Sequence, residues 1–137
     1  MIFLDTNVVS EDLRTGPNPA VLEWLVRNDR DIALSTVVVG EVWFGIYKIR
    51  PDERSKRLAM GLDRWQRRFS GRIFPFNEAA CRVYGELMGE AARKGRGMEP
   101  LDGMIAAIAK VNLGKLATRN IRHFETTGLE LIDPWKH

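Results

Sequence analysis

Ile2-Phe3-Leu4-Asp5-Thr6-Asn7 sets a short apolar run directly against an acid and two residues that favour turns and helix caps. The run reads as a short buried strand. Asp5 then stands at its carboxyl end, the edge at which open α/β sheets place their ligands. The same pattern returns at Ile32-Ala33-Leu34, stopped by Ser35-Thr36, and at Lys115-Leu116-Ala117, stopped by Thr118. Arg72 to Phe76, ended by its proline, and Leu129 to Ile132 supply two further short strands.

Helical patterns fill the intervals. Asn18-Pro19 offers a cap followed by proline at the first helical position, with Val21, Leu22 and Leu25 behind it and an end near Asn28. Val37 to Ile49 is apolar on nearly every side, which predicts a helix buried against several partners. Leu58, Leu62, Trp65 and Phe69 recur at helical spacing while Arg57, Arg64 and Arg68 point elsewhere, giving an amphipathic helix with a basic outer face. Asn77 can cap a helix carrying Ala80, Val83, Tyr84, Leu87, Met88 and Ala91 on one side. After the loop Lys94-Gly95-Arg96-Gly97, Leu101 to Ala109 forms a small-residue helix with Gly114 expected to cap its end, and Asn120 to Phe124 reads as a short turn or helical segment. Short strands separated by helices predict an α/β sandwich with a mainly parallel sheet, a single domain over 1–137.

The 137 residues are 45% hydrophobic and 28% charged, the balance of one folded domain. No apolar run approaches the roughly 20 residues of a membrane span, and the opening MIFLDTN lacks a basic leader; neither a span nor a signal peptide is expected, and the cytoplasm is the expected compartment. Lone Cys81 can form no internal disulfide, and one thiol with two histidines excludes a zinc cluster of the usual kind. There is no G-x-S-x-G, and Gly95-Arg96-Gly97 lacks the rest of a phosphate-binding loop. The net charge of +3 is unevenly spread: residues 48–72 carry +6 and the remainder −3. Such a basic face is either a solvated helix surface or a meeting place for phosphate backbones. Trp24, Trp43 and Trp65 keep helical company that suits a core or a dimer interface, and Trp135 is placed to anchor the last strand.

Three acids stand among apolar residues. Besides Asp5, Glu41 lies within the most apolar helix, and Asp102 lies in the first turn of the small-residue helix beside Ile105, Ala106 and Ala109. A buried charge costs several kcal/mol, roughly, unless paired or bound to a metal. Each acid also has a structural explanation: Asp5 as a cap, Asp102 as an acid at a helix N-terminus, Glu41 as the partner of Lys48 or an arginine. Taken together they suggest a cluster of oxygen donors suited to a hard cation such as Mg²⁺ or Mn²⁺. Thr6, Asn7, Ser35, Thr36 and Thr118 could cap helices or hydrogen-bond those carboxylates.

The opening hydrophobic-Leu-Asp-Thr-Asn-Val, the internal Ser-Thr…Gly-Glu, the block Leu-Asp-Gly-Met-Ile-Ala-Ala and the closing Ala-Thr-Arg-Asn…His-Phe with terminal Asp-Pro-Trp resemble PIN-domain ribonucleases. Within these the chain looks like the VapC-type toxins of bacterial type II toxin–antitoxin modules, nearest the FitB-like branch. The resemblance covers essentially the whole chain. It implies an α/β/α PIN fold, a Mg²⁺ or Mn²⁺ site, an RNA substrate, a homodimer and a small VapB-like antitoxin. By motif it makes Asp5, Glu41 and Asp102 the acidic ligands and catalytic residues, Thr6, Asn7 and Thr118 their support, and Arg119 a contact to phosphate or a partner. The resemblance breaks at a fourth acid, where this chain has Asn120 and His123. Both can still hydrogen-bond a water, so a second metal is expected to bind weakly. The alternative is a catalytically weak PIN domain that binds RNA or protein. Arg57, Arg64 and Arg68 are the candidates for contact with RNA or with the antitoxin.

Overall fold

A parallel five-stranded sheet organises the computed structural model, which describes residues 1–136. In chain order the strands are β1 (Ile2–Leu4), β2 (Ile32–Ser35), β3 (Ile73–Phe74), β4 (Lys115–Ala117) and β5 (Leu131–Ile132), arranged β3-β2-β1-β4-β5. The helices flanking them are α1 (Thr6–Leu13), α2 (Pro19–Arg27), α3 (Thr36–Lys48), α4 (Glu53–Arg68), α5 (Glu78–Arg93) and α6 (Pro100–Val111). Strand order reverses at β1, which pairs with β2 on one side and β4 on the other. Leu4 is in register with Ala117, so Asp5 and Thr118 emerge side by side at the carboxyl edge, in the crevice that such a reversal opens. The sheet core is apolar throughout: Phe3, Leu4, Ala33, Leu34, Leu116 and Ala117 are fully buried, as parallel strands covered on both faces require.

Asn18, Ser35 and Asn77 cap α2, α3 and α5 as the sequence predicts, each accepting a backbone N–H of the first turn, and Asp52, not singled out in the sequence, does the same for α4. Four features differ from the expectation. Residues 6–13 form α1, of which the sequence showed only the turn- and cap-favouring Asp5-Thr6-Asn7, because its polar opening and brevity hide its periodicity; Val8 and Val9 are its buried apolar face. The strands expected over 72–76 and 129–132 shrink to two residues each, and Phe76 instead packs edge-on against Tyr84 at 5.7 Å. Helix α3 packs against α1, α4, α6 and β2 as expected, yet leaves Phe44 and Tyr47 68% and 58% exposed.

The fourth difference concerns the end of α6. The left-handed residue there is Leu113 (φ 56°), 93% exposed, and not Gly114. Gly114 is needed for a different reason: a Cβ on it would lie 2.8 Å from two ring atoms of Phe3 and 3.2 Å from the carbonyl oxygen of Met1. Trp24 and Trp65 belong to the core, Trp43 packs against it and donates through Nε1 to Gln66 of α4 at 2.9 Å, and Trp135 packs against it from the final turn, Pro134–Lys136. Among the described residues no helix is long and apolar enough to cross a membrane.

Gly114→Ala is expected to lower stability by about 1–3 kcal/mol, because Phe3 sits in a packed sheet core and cannot retreat. Leu113→Gly, one residue away, is expected to raise it by up to about 1 kcal/mol by relieving the left-handed backbone. Denaturant midpoints of the two variants check both signs.

Candidate active site

Asp5 follows β1 and its carboxylate is nearly saturated by protein donors. Oδ1 accepts the backbone N–H of Thr6 at 2.8 Å, while Oδ2 accepts the Thr118 hydroxyl at 2.7 Å and the Asn7 side-chain amide at 3.2 Å. The residue is 5% exposed and Thr118 wholly buried. The segment after β4 fixes these donors in turn. The N–H of Asn120 donates to the Thr118 hydroxyl at 3.0 Å, leaving its proton for Asp5, and the N–H of Arg119 donates to Asn7 Oδ1 at 3.3 Å, turning the amide nitrogen toward the acid. Asp5 is therefore both the cap of α1 and a clamp between the ends of β1 and β4.

Glu41 reaches the same place from α3. Thr6 donates through its hydroxyl to Glu41 Oε1 at 2.6 Å, so consecutive residues 5 and 6 hold two acids in neighbouring positions. No basic side chain pairs with Glu41 among the described residues; Lys48 lies over the ring of Phe44 instead. Asp102, in the first turn of α6, keeps a side chain 20% exposed with His123 Nδ1 3.5 Å from Oδ2. Its carboxyl is pushed up to about 6, first by burial, then by the charge of Asp5, with His123 opposing and Glu41 and Glu99 adding to the push.

One pocket of about 710 Å³ collects Asp5, Thr6, Asn7, Glu41, Asp102, Asn120 and His123. Thr118 lies beneath it, holding Asp5. Glu99, which also lines the pocket, was not among the predicted residues; the signal was an acid before the proline that starts α6, one helical turn from Asp102. The facing donors are carboxylate, hydroxyl and amide oxygens plus one imidazole, a hard set that fits Mg²⁺ or Mn²⁺. The acids share the pocket without closing on one point: no three His, Cys, Asp or Glu side chains among the described residues form a ready ligand set.

Arg119 turns away, its guanidinium lying 5.0 Å from the centre of the Trp135 ring. Arg57, Arg64 and Arg68 line a separate groove of about 880 Å³, with an apolar floor that includes Leu13, Leu25, Trp65 and Phe69. That groove shares no lining residue with the carboxylate pocket, and Arg68 is held there by Asp29 at 2.9 Å.

Comparison with known proteins adds four likenesses. Residues 2–129 match the family described as the PIN domain. The chain is 36% identical to the VapC ribonuclease Y4jK of Sinorhizobium fredii, over 99% of both chains, and 34% identical to Toxin FitB of Neisseria gonorrhoeae, over 98% of this chain and 99% of that one. The fold superposes on the crystal structure of FitAcB from Neisseria gonorrhoeae with a TM-score of 0.92 at 34% identity, covering 100% of each chain.

The raised Asp102 makes a stability prediction. Between its ordinary value of 3.8 and about 6 the folded chain holds a proton that the unfolded chain has released, so stability falls as pH rises through this window and stays lower above it. Asp102→Asn is expected to flatten that slope and, in EDTA near pH 7, to be more stable than the parent by about 1–2 kcal/mol. Thermal melts from pH 3.5 to 7.5 check this; a variant that tracks the parent at every pH refutes it.

Proposed function

The chain belongs to the PIN-domain family, and from that premise we propose that it is the ribonuclease toxin of a VapBC-type toxin–antitoxin pair, hydrolysing RNA phosphodiester bonds with Mg²⁺ or Mn²⁺. The observation that carries the proposal is the meeting of Asp5, Glu41 and Asp102, from three separate elements, in one pocket at the reversal point of the sheet, where no lysine or arginine pairs with them among the described residues. So much unbalanced negative charge is of little use to folding and suits a divalent cation. The names of the two relatives point the same way.

Asp5, Glu41 and Asp102 would hold the ion, which when bound supplies positive charge to the scissile phosphate and acidifies the attacking water. Thr118 and Asn7 keep Asp5 from turning, and Thr6 does the same for Glu41. Asn120 and His123 put an amide and an imidazole on the remaining wall where a fourth carboxylate would add negative charge, with His123 Nδ1 3.5 Å from Asp102 Oδ2. Without that carboxylate a second ion is held weakly, so Asn120→Asp is expected to tighten Mn²⁺ binding in calorimetry. The groove bearing Arg57, Arg64 and Arg68 on an apolar floor suits an amphipathic, acidic segment of the antitoxin, and the exposed Phe44 and Tyr47 of α3 suit a second copy of the chain.

The deciding experiment is cleavage of structured RNAs by antitoxin-free protein with Mg²⁺, Mn²⁺ or EDTA, beside Asp5→Ala and Glu41→Gln. Expected is cleavage that requires metal and falls by roughly 100-fold or more in each variant. Cleavage in EDTA, or undiminished in Asp5→Ala, overturns the proposal. Folded protein that binds RNA and cuts none of it in either metal favours the binding-module reading, which the missing fourth acid at Asn120 and His123 motivates.

A further inference from the structure

A second pocket, of about 410 Å³, adjoins the carboxylate pocket and shares Glu99, Asp102 and His123 with it. Its other walls bring Arg96, from the loop after α5, and Arg122, from the short 3-10 turn Ile121–Thr127. A polyanion can approach three carboxylates only if positive charge beside them offsets the repulsion, and this flank supplies it at the shared wall. Arginines elsewhere are engaged or remote: Arg119 on Trp135, Arg68 on Asp29, Arg72 on the carbonyl oxygens of residues 29, 30 and 32. Arg96 is held at the mouth by Glu125. Arg122 is exposed and has no ion pair or hydrogen bond through its side chain among the described residues.

We infer that Arg122, with Arg96 beside it, receives a phosphate of the RNA strand adjacent to the one cleaved, so that the strand crosses the Asp102–His123 wall and runs over the 96–99 loop. The Arg57, Arg64 and Arg68 face has no part in this path. The inference rests on the ribonuclease reading and specifies where that substrate lies.

The test is the salt dependence of binding of a fluorescein-labelled single-stranded RNA by the full chain in EDTA, read by anisotropy from 50 to 300 mM KCl. Each phosphate contact on a single strand contributes about 0.7 to the slope of log affinity against log salt. Arg122→Ala is expected to flatten the slope by about that amount and to weaken binding about three- to tenfold at the lowest salt. Arg122→Lys is expected to keep the slope, and Arg96→Ala added to Arg122→Ala to flatten it further. Arg30→Ala removes the same charge from the turn before β2, at the opposite edge of the sheet, and is expected to change nothing. An unchanged slope in Arg122→Ala, or equal flattening in Arg30→Ala, overturns the inference. Metal-dependent cleavage by the parent, run in parallel, separates the failures: if it persists, only the strand path falls; if the parent neither cuts nor binds RNA, the ribonuclease reading falls and takes the path with it.

Discussion

The hydrogen bond from the buried Thr118 hydroxyl to Asp5 joins residues 113 positions apart, and the rest of the site depends on it. It forms because β1 and β4 are neighbours in register, with Leu4 opposite Ala117. Asp5, so fixed, caps α1 and thereby places Thr6 under Glu41. Two of the three acids thus owe their positions to one strand pairing. Alternating polar stops at strand ends are what make such an arrangement possible, because they deliver hydroxyls and carboxylates to a single edge of an otherwise apolar sheet.

Asp102 stands outside that clamp and shows the opposing pressure. Its carboxyl is raised because it is partly buried beside Asp5 and Glu41, with only an exposed imidazole on the other side. A sequence selected for stability alone would place a neutral residue there. The small residues that follow it, with Gly103, Ala106, Ala107 and Ala109 buried, let α6 pack closely and bring the acid in to the sheet edge. Local charge repulsion and tight helix packing therefore belong to the same design, and the packing holds the repulsion in place.

Much of this was legible in the sequence. The parallel sheet, most of the capped helices and the three acids follow from periodicity and from acids standing in apolar company, which already suggests a cluster, while the PIN resemblance adds their roles. What escaped was relative placement. The spacing of Leu58, Leu62, Trp65 and Phe69 establishes that Arg57, Arg64 and Arg68 face away from the α4 contacts, but not that they look into a groove apart from the acids. Gly114 reads as a helix cap because glycine is the residue that tolerates left-handed backbone, whereas its requirement is the nearness of the Phe3 ring, a contact across the sheet. Arg119 sits beside Thr118 in sequence, yet its side chain is long enough to leave the site for Trp135. Helix α1 was hidden because its first residues are polar for the sake of the site and leave too few apolar positions to show a period.

The strand order has a consequence for synthesis on the ribosome. Asp5 is made more than a hundred residues before its other neighbour, β4, and the donor Thr118. Until then β1 can pair only with β2, Asp5 has donors only from its own turn, and the wall formed by Asn120 and His123 does not exist. A chain synthesised only as far as β4 therefore cannot complete the pocket. If the pocket cuts RNA as proposed, that activity arises only once residues 115–123 have been made.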